Sequence, residues 1–199
     1  MRDENRIGRL LLVRHGESEG NALRRFTESE QVPLTPKGRE QAERAAALLR
    51  ARFAPVGIVS SPFTRAHQTA EIIASTLELP IEIEPEVREQ FLGELHGQPY
   101  DAALATPGFE TLPRWEWRPP AGETLLEVQK RAVGALLRIA GAWVGADVVV
   151  TSHAGTIQSC WAHVARDWQA APHVPNCGVV VIEHDGRELA RPELLLASS

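Results

Sequence analysis

Along the chain, short apolar runs alternate with longer stretches in which apolar residues recur every three to four positions. Residues 9–13 (RLLLV) read as a fully buried strand. Residues 35–53 carry a helical pattern, with Thr35 placed to cap, Pro36 suited to the first turn, and Ala42, Ala45, Ala46 and Leu49 on one face. A second strand follows at 56–60. Ser61 then reads as the cap, and Pro62 as the first residue, of a helix whose Ala66, Ala70, Ile73 and Leu77 share a face. Residues 81–83 form a short strand. Residues 123–143 form a long helix with Leu126, Val133, Leu136, Leu137 and Ala140 along its apolar side. A strand at 148–151, a helix from 155 to about 164 and a strand at 179–183 complete the series.

Strands alternating with helices predict the α/β class, here a three-layer α/β/α sandwich around a mostly parallel central sheet. Ligands of such sheets sit beyond the carboxyl ends of the strands. Residues 97–120 break the pattern. They are rich in Pro, Gly and aromatics, have little periodicity, and read as a small insertion, or lid, over one end of the sheet. With no internal repeat and no low-complexity linker, residues 1–199 are expected to form one domain that carries this insertion.

Composition narrows the functional classes. A chain of 199 residues, 43% hydrophobic and 24% charged, has the make-up of an ordinary globular domain, which excludes wholesale disorder and fibrous structure. A chain of this length buries roughly 70% of its unfolded surface, so it needs no disulfide or metal staple. The net charge of −5 counts against nucleic acid or an anionic membrane as partner. It leaves room for a small anionic substrate held by a few arginines. Two cysteines, Cys160 and Cys177, do not make a disulfide framework and point to a reducing, cytoplasmic setting. The first six residues are polar, the apolar run at 10–13 is too short for a signal peptide, and no stretch approaches the ~20 apolar residues of a membrane span.

The candidate chemistry lies at strand ends. Arg14-His15-Gly16-Glu17-Ser18 follows the first buried strand. Arginine suits bidentate contact with phosphate, a neutral histidine is a competent nucleophile toward phosphorus, and Gly16 would let the backbone approach an anion. Alone, this segment could equally be a surface turn with a stray histidine. Ser60-Ser61-Pro62-Phe63-Thr64-Arg65 follows the second strand and puts Arg65 in the first turn of a helix, where free N–H groups favour anions. Thr151-Ser152-His153-Ala154-Gly155 ends a third strand with a second histidine. Separately, Arg65 is an ordinary helix charge and His153 a packing or capping residue. Together, three strand ends bring Arg-His, Arg and His to one edge of a sheet.

At these residues the chain resembles the histidine phosphatase superfamily, the branch of the cofactor-dependent phosphoglycerate mutases and many small phosphatases. The resemblance runs from about residue 10 to about 158 through RHGES with Asn21 beyond it, PLTPKGREQA, SSPFTRAHQTAE, the 89–97 block EQFLGELHG, PAGET and TSHAGT. It implies that His15 is the nucleophile that becomes phosphohistidine, and that Arg14, Asn21, Arg65 and His153 bind the phosphoryl group. It also implies that Glu89 protonates the leaving oxygen. The residues alone do not choose between Glu86, Glu89 and Glu94; the spacing of Gly93 and Gly97 within the family motif selects Glu89. No metal and no cofactor is implied. The other histidines, His67, His96, His163, His173 and His184, lack metal-ligand spacing, though His96 is near enough to the Glu89 block to line a pocket.

Several positions depart from the mutases. Arg25-Phe26-Thr27 resembles the mutase substrate loop, but the glycine that would follow is Glu28. Gln90 and Leu92 stand where mutases have Arg and Tyr after the acidic residue. Arg114 and Arg118 are separated where mutases pair two arginines. Gln31 replaces an aspartate before PLT, and Gln158 stands where an arginine often occurs. A mutase must hold a second anionic group and exclude water, which takes several cations. The expectation is therefore a hydrolase acting on a small phosphorylated metabolite, with a mutase, a protein phosphatase or a non-catalytic phosphate-binding regulator as alternatives. Arg25, Thr27, Gln90, Trp115 and Trp117 are the expected substrate-pocket residues. In that reading Tyr100, Phe109, Trp115 and Trp117 form an apolar wall for a ring-bearing leaving group, or else pack the insertion onto the domain. The oligomeric state is left open between monomer and homodimer.

Overall fold

The computed structural model describes residues 7–27 and 31–195. In chain order the main elements are β1 (Gly8–Arg14), α1 (Glu19–Ala22), α2 (Pro36–Arg52), β2 (Pro55–Ser60), α3 (Thr64–Leu77), β3 (Ile81–Ile83), α4 (Leu125–Ala142), β4 (Asp147–Ser152), α5 (Ala154–Ala165), β5 (Val179–His184) and β6 (Leu189–Leu195).

One six-stranded sheet runs in the order β3-β2-β4-β1-β5-β6. β3, β2, β4 and β1 pair in parallel, while β5 pairs antiparallel to β1 and β6 antiparallel to β5. The sheet is thus mixed, with its parallel part where the expected strands lie. Side chains alternate across a strand, so each β1 residue serves one of two cores. Leu10 and Leu12 join Val148, Val150 and Ile182 against Ala132, Leu136 and Ile139 of α4 and Ile157 of α5. Leu11 and Val13 join Ile58, Val149 and Val181 against Ala46 and Leu49 of α2 and Ala70 and Ile73 of α3. Helices therefore cover both faces, which makes the three layers. Strands buried on both sides read as unbroken apolar runs, and β4 is buried at every position. Its one charge, Asp147, is held by Arg9 at 2.6 Å across the β1–β4 pair.

The register sets up the site. Arg14 lies opposite Ser152, and Ser60 opposite Thr151, so β1, β4 and β2 end side by side. Three differences from the expected elements stand out. α3 begins at Thr64, with Phe63 as a cap that has no side-chain bond; the Ser61 hydroxyl takes the Phe63 N–H at 3.4 Å and also bonds His153. α4 begins at Leu125, where Thr124 and Glu127 form a reciprocal capping box. β6 and the one-turn α1 were not foreseen.

The 97–120 insertion is irregular apart from a 3-10 turn over Tyr100–Ala105. Its Ala103 and Trp117 form a small core with Leu92 and Leu95 from the preceding loop, with Phe26, Ala102 and Phe109 against it. Backbone bonds stitch it to the segment after β1: Phe26 donates to Gln98, Gly97 to Phe26, and Tyr100 to Arg24. Among the described residues no helix is long and apolar enough to cross a membrane.

Candidate active site

The end of β1 is held from several sides before any side chain acts. The His15 N–H donates to the Ser152 carbonyl at 2.9 Å, and the Cys177 N–H to the Arg14 carbonyl at 3.0 Å. The Gly16 N–H donates to Thr69 Oγ1 at 3.1 Å, and that hydroxyl donates to the Arg65 carbonyl at 2.8 Å. A Cβ on Gly16 would run into the Gly38 carbonyl of α2, and one on Gly38 into the Glu17 carbonyl. The glycine is needed here because two backbones touch.

His15 is 3% exposed. Its Nδ1 lies 2.7 Å from the Gly16 carbonyl, which can only accept, so Nδ1 carries the proton and Nε2 keeps its lone pair. Nε2 in turn receives the Arg65 Nε–H at 3.3 Å. Burial, followed by the charges of Arg65 and Arg14, holds the His15 pKa well below the ordinary imidazole range. The ring is therefore neutral near pH 7. His153 is fully buried, and its ring meets His15 edge-on at 5.2 Å. Burial foremost, then Arg65 and His15, depresses its pKa as well. Its Nε2 bonds the Ser61 hydroxyl at 2.8 Å, while its Nδ1 is buried without a partner.

Arg65, 2% exposed, is drawn down by burial to a pKa of about 10, which still leaves it charged. It donates through Nη2 to the Thr27 carbonyl at 2.8 Å. Arg14 donates through Nη1 to the Val174 carbonyl at 2.7 Å, and its buried Nε has no partner. Buried polar groups are nearly always paired. Of the buried side-chain polar atoms without a partner among the described residues, Arg14 Nε and His153 Nδ1 belong to residues around His15, and Arg14 also lines the adjoining cavity.

Glu89 lies across the cavity on the loop after β3. Its Oε1 accepts from the Gln90 N–H at 2.9 Å and its Oε2 from the Gly155 N–H at 3.4 Å. A side chain at Gly155 would put its Cβ 2.8 Å from Glu89 Oε1, so the glycine makes room for the carboxylate. The loop is clamped by Arg131 of α4. That guanidinium donates to the carbonyls of Glu86 (2.6 Å), Arg88 (2.9 Å) and Glu89 (2.9 Å), and forks onto the Glu123 carboxylate. Glu123 also takes the Phe91 N–H at 2.9 Å. Burial works to raise its pKa, but the bonds from Arg131 and Phe91 and the charges of Arg131 and Arg88 hold it below the usual carboxylate value. Sequence reasoning missed Arg131, Glu123, Ser61 and Thr69. Glu123 lay inside the quoted PAGET motif, which is the one signal that could have drawn attention to it.

These groups border a cavity of about 240 Å³. Arg14, His15, Asn21, Arg65 and Glu89 line it, as do Arg25, Thr27 and Gln90; His153, expected to bind phosphate, is fully buried against His15 and is not among the lining residues. Trp115 and Trp117 do not line it. Trp117 is 0% exposed at the centre of the insertion core, with its Nε1–H on Thr106 Oγ1 at 3.1 Å. Trp115 stacks on Trp168 at 5.7 Å. The insertion's contribution to the cavity is instead Tyr100 and Arg114. Arg114 stacks over Trp117 at 4.4 Å and reaches Gln90 Oε1 at 3.4 Å. Arg118 turns away, onto Glu127 at 2.7 Å and the Gly122 carbonyl. Gln158 joins the lining, whereas Gln31 and His96 do not, and Glu28 lies outside the described residues.

The chain is similar to known proteins in sequence and in fold. The chain is 30% identical over 188 residues to 2,3-bisphosphoglycerate-dependent phosphoglycerate mutase 2 of Gloeobacter violaceus, covering 88% of this chain and 85% of that one. It is 34% identical over 167 residues to glucosyl-3-phosphoglycerate phosphatase of Mycolicibacterium vanbaalenii, covering 79% and 74%. Among solved structures, YhfR of Bacillus stearothermophilus superposes with a TM-score of 0.86 at 28% identity, covering 96% of this chain and 98% of that one. A mycobacterial glucosyl-3-phosphoglycerate phosphatase in complex with VO3 superposes at 0.82 and 28%, covering 96% and 100%. The names of these relatives support phosphatase or mutase activity. With the family model matched continuously over residues 10–194, the chain belongs to the histidine phosphatase superfamily, branch 1.

Proposed function

We propose that the protein hydrolyses a small phosphomonoester through a phosphohistidine formed on His15. The observation that carries this reading is the tautomer: Nδ1–H is spent on Gly16, so an unprotonated Nε2 sits in a buried, doubly cationic setting. Phosphoryl transfer spreads charge over the equatorial oxygens, and preorganised donors there stabilise it. Arg14 and Arg65 supply the charges, with Asn21 beside them. His153, packed edge-on against His15, bears on the nucleophile and is not part of the cavity lining. A ligand oxygen would satisfy the buried Arg14 Nε–H that now lacks a partner.

In the first step the Nε2 lone pair attacks phosphorus, the P–O ester bond breaks, and a protonated Glu89 carboxyl gives its proton to the leaving oxygen. In the second, the Glu89 carboxylate takes a proton from water. The water oxygen attacks phosphorus, the P–N bond breaks, and phosphate and neutral His15 are regenerated. One group serves as acid and then base.

The substrate reading changes with the insertion. Its tryptophans form no wall, and of the four expected wall aromatics only Tyr100 lines the cavity. Arg114 and Gln90, also in the lining, favour an alcohol that carries its own polar or anionic group. A mutase is the second reading, favoured by Arg114 and by mutase-named relatives. Hydrolysis is preferred because Arg118 is turned outward and Arg25 is spent through Nη1 on the Gly97 carbonyl at 2.7 Å. One spare arginine is a weak hold on a second anion that must stay while the phosphoryl group returns.

The test is a panel of phosphorylated metabolites assayed for phosphate release and for transfer to a second acceptor, with His15→Ala beside the wild type. Release by the wild type, with a loss of more than about a thousandfold in the variant, is expected. Equal release by both, or transfer in place of release, contradicts the reading.

A further inference from the structure

Hydrogen-bond polarity around Asn21 leaves one hydroxyl proton uncommitted on the cavity wall. Asn176 Nδ2 donates to the His15 carbonyl at 3.0 Å and to Asn21 Oδ1 at 3.2 Å. The Ser18 N–H donates to the same Oδ1 at 3.3 Å. Two N–H groups converging on one atom identify it as the amide oxygen, so the other end of the Asn21 side chain is its NH2. That NH2 donates to the Tyr100 hydroxyl at 3.2 Å. The phenol oxygen is thus an acceptor toward Asn21, and its single proton points elsewhere. Among the described residues no acceptor is placed for it.

The location of that proton matters. Tyr100 lines the cavity with Arg14 and Arg65, and a charge on its oxygen would act on both guanidiniums. The ring is anchored against Phe26 at 5.0 Å, and the Tyr100 N–H is bound to the Arg24 carbonyl. The hydroxyl thus stands beside Asn21, whose Nδ2 is 3.2 Å away, on the wall shared with Arg14 and Arg65. A chain of donors runs from Asn176 through Asn21 to Tyr100, and each link fixes the direction of the next.

We propose that Tyr100 donates its phenolic proton to an oxygen of the phosphoryl group held by Arg14 and Arg65. The inference rests on the hydrolase reading of the site. It assigns to the insertion a contact with the group being transferred, in addition to any contact with the leaving alcohol. No bond is made or broken by Tyr100; it contributes one charge-assisted hydrogen bond, present in the ground state and in the phosphohistidine.

The test uses Tyr100→Phe, which keeps the ring against Phe26. Inhibition constants for inorganic phosphate and orthovanadate are measured, with kcat/KM on one aryl and one alkyl phosphate. Both inhibitors are expected to weaken by about tenfold or more, and kcat/KM to fall by the same factor on both esters, the loss of one hydrogen bond to a charged group. Thermal melting should match the wild type, and Tyr100→His, which restores an N–H donor, should recover part of the vanadate affinity. Unchanged inhibition, a loss confined to one ester, or no recovery would overturn the assignment. Release by wild type but not by His15→Ala shows, in the same assay, that the hydrolase reading stands even if Tyr100 fails.

Discussion

The phosphate cup and the insertion face each other across one cavity, yet they are built by opposite means. The cup is made of strand ends. Arg14, His15 and His153 continue β1 and β4, and Arg65 enters α3 just after β2, so sheet register places each of them. Its side chains are buried and keep unpartnered polar atoms. The insertion has almost no regular structure and packs around its own Trp117. Only Tyr100 and Arg114 reach the cavity from it. The difference separates the two tasks of such an enzyme. In the proposed reading, chemistry common to every phosphomonoester rests on the strand ends, with Tyr100 as the insertion's one contribution to it, and what distinguishes one ester from another falls to Arg114, on a loop that can change without disturbing the sheet.

Substitutions on each side should therefore fail in different ways. Glu89→Gln removes the proposed proton donor and should lower kcat on an alkyl phosphate by about a hundredfold or more. An aryl phosphate with a good leaving group should lose far less. Arg131→Met frees the backbone of the Glu89 loop, so it should show the same leaving-group dependence on a smaller scale, about tenfold, with melting lowered by the loss of the Glu123 pair. Equal losses on both esters would mean that Arg131 serves the fold and not the acid. On the insertion side, Arg114→Ala should raise KM by about tenfold for a phosphoester bearing a second anion, and leave a simple aryl phosphate nearly unchanged. If both substrates suffer alike, the division between cup and insertion is wrong.

What could be read from the chain follows the same division. β1, β2, β4 and β5 are buried on both faces, so apolar runs announced them, and the strand ends announced the cup. β6 was hidden because it is an edge strand with little burial, interrupted by Pro192 and by Arg191 at φ 47°. The start of α3 was misplaced because a local rule made Ser61 a cap, while its hydroxyl takes the Phe63 N–H ahead of the helix and also bonds His153. The close contact that requires Gly16 lies 22 residues away in α2, which no local pattern reveals. Arg131 read as an ordinary helix charge because its partners are backbone carbonyls more than 40 residues earlier, which no side-chain pattern reveals. The aromatic insertion was the least legible part. Tryptophan suits a pocket wall and a small core equally well, and only the packing shows that Trp117 is core.

The central claim is covalent and can be tested directly. Protein mixed with 32P-labelled substrate and quenched within one turnover should carry label that is stable in base and lost in acid, as a phosphoramidate is, and that maps to His15. Label on another residue, or rapid turnover with none trapped on His15 even in Glu89→Gln supplied with an aryl phosphate, would contradict it.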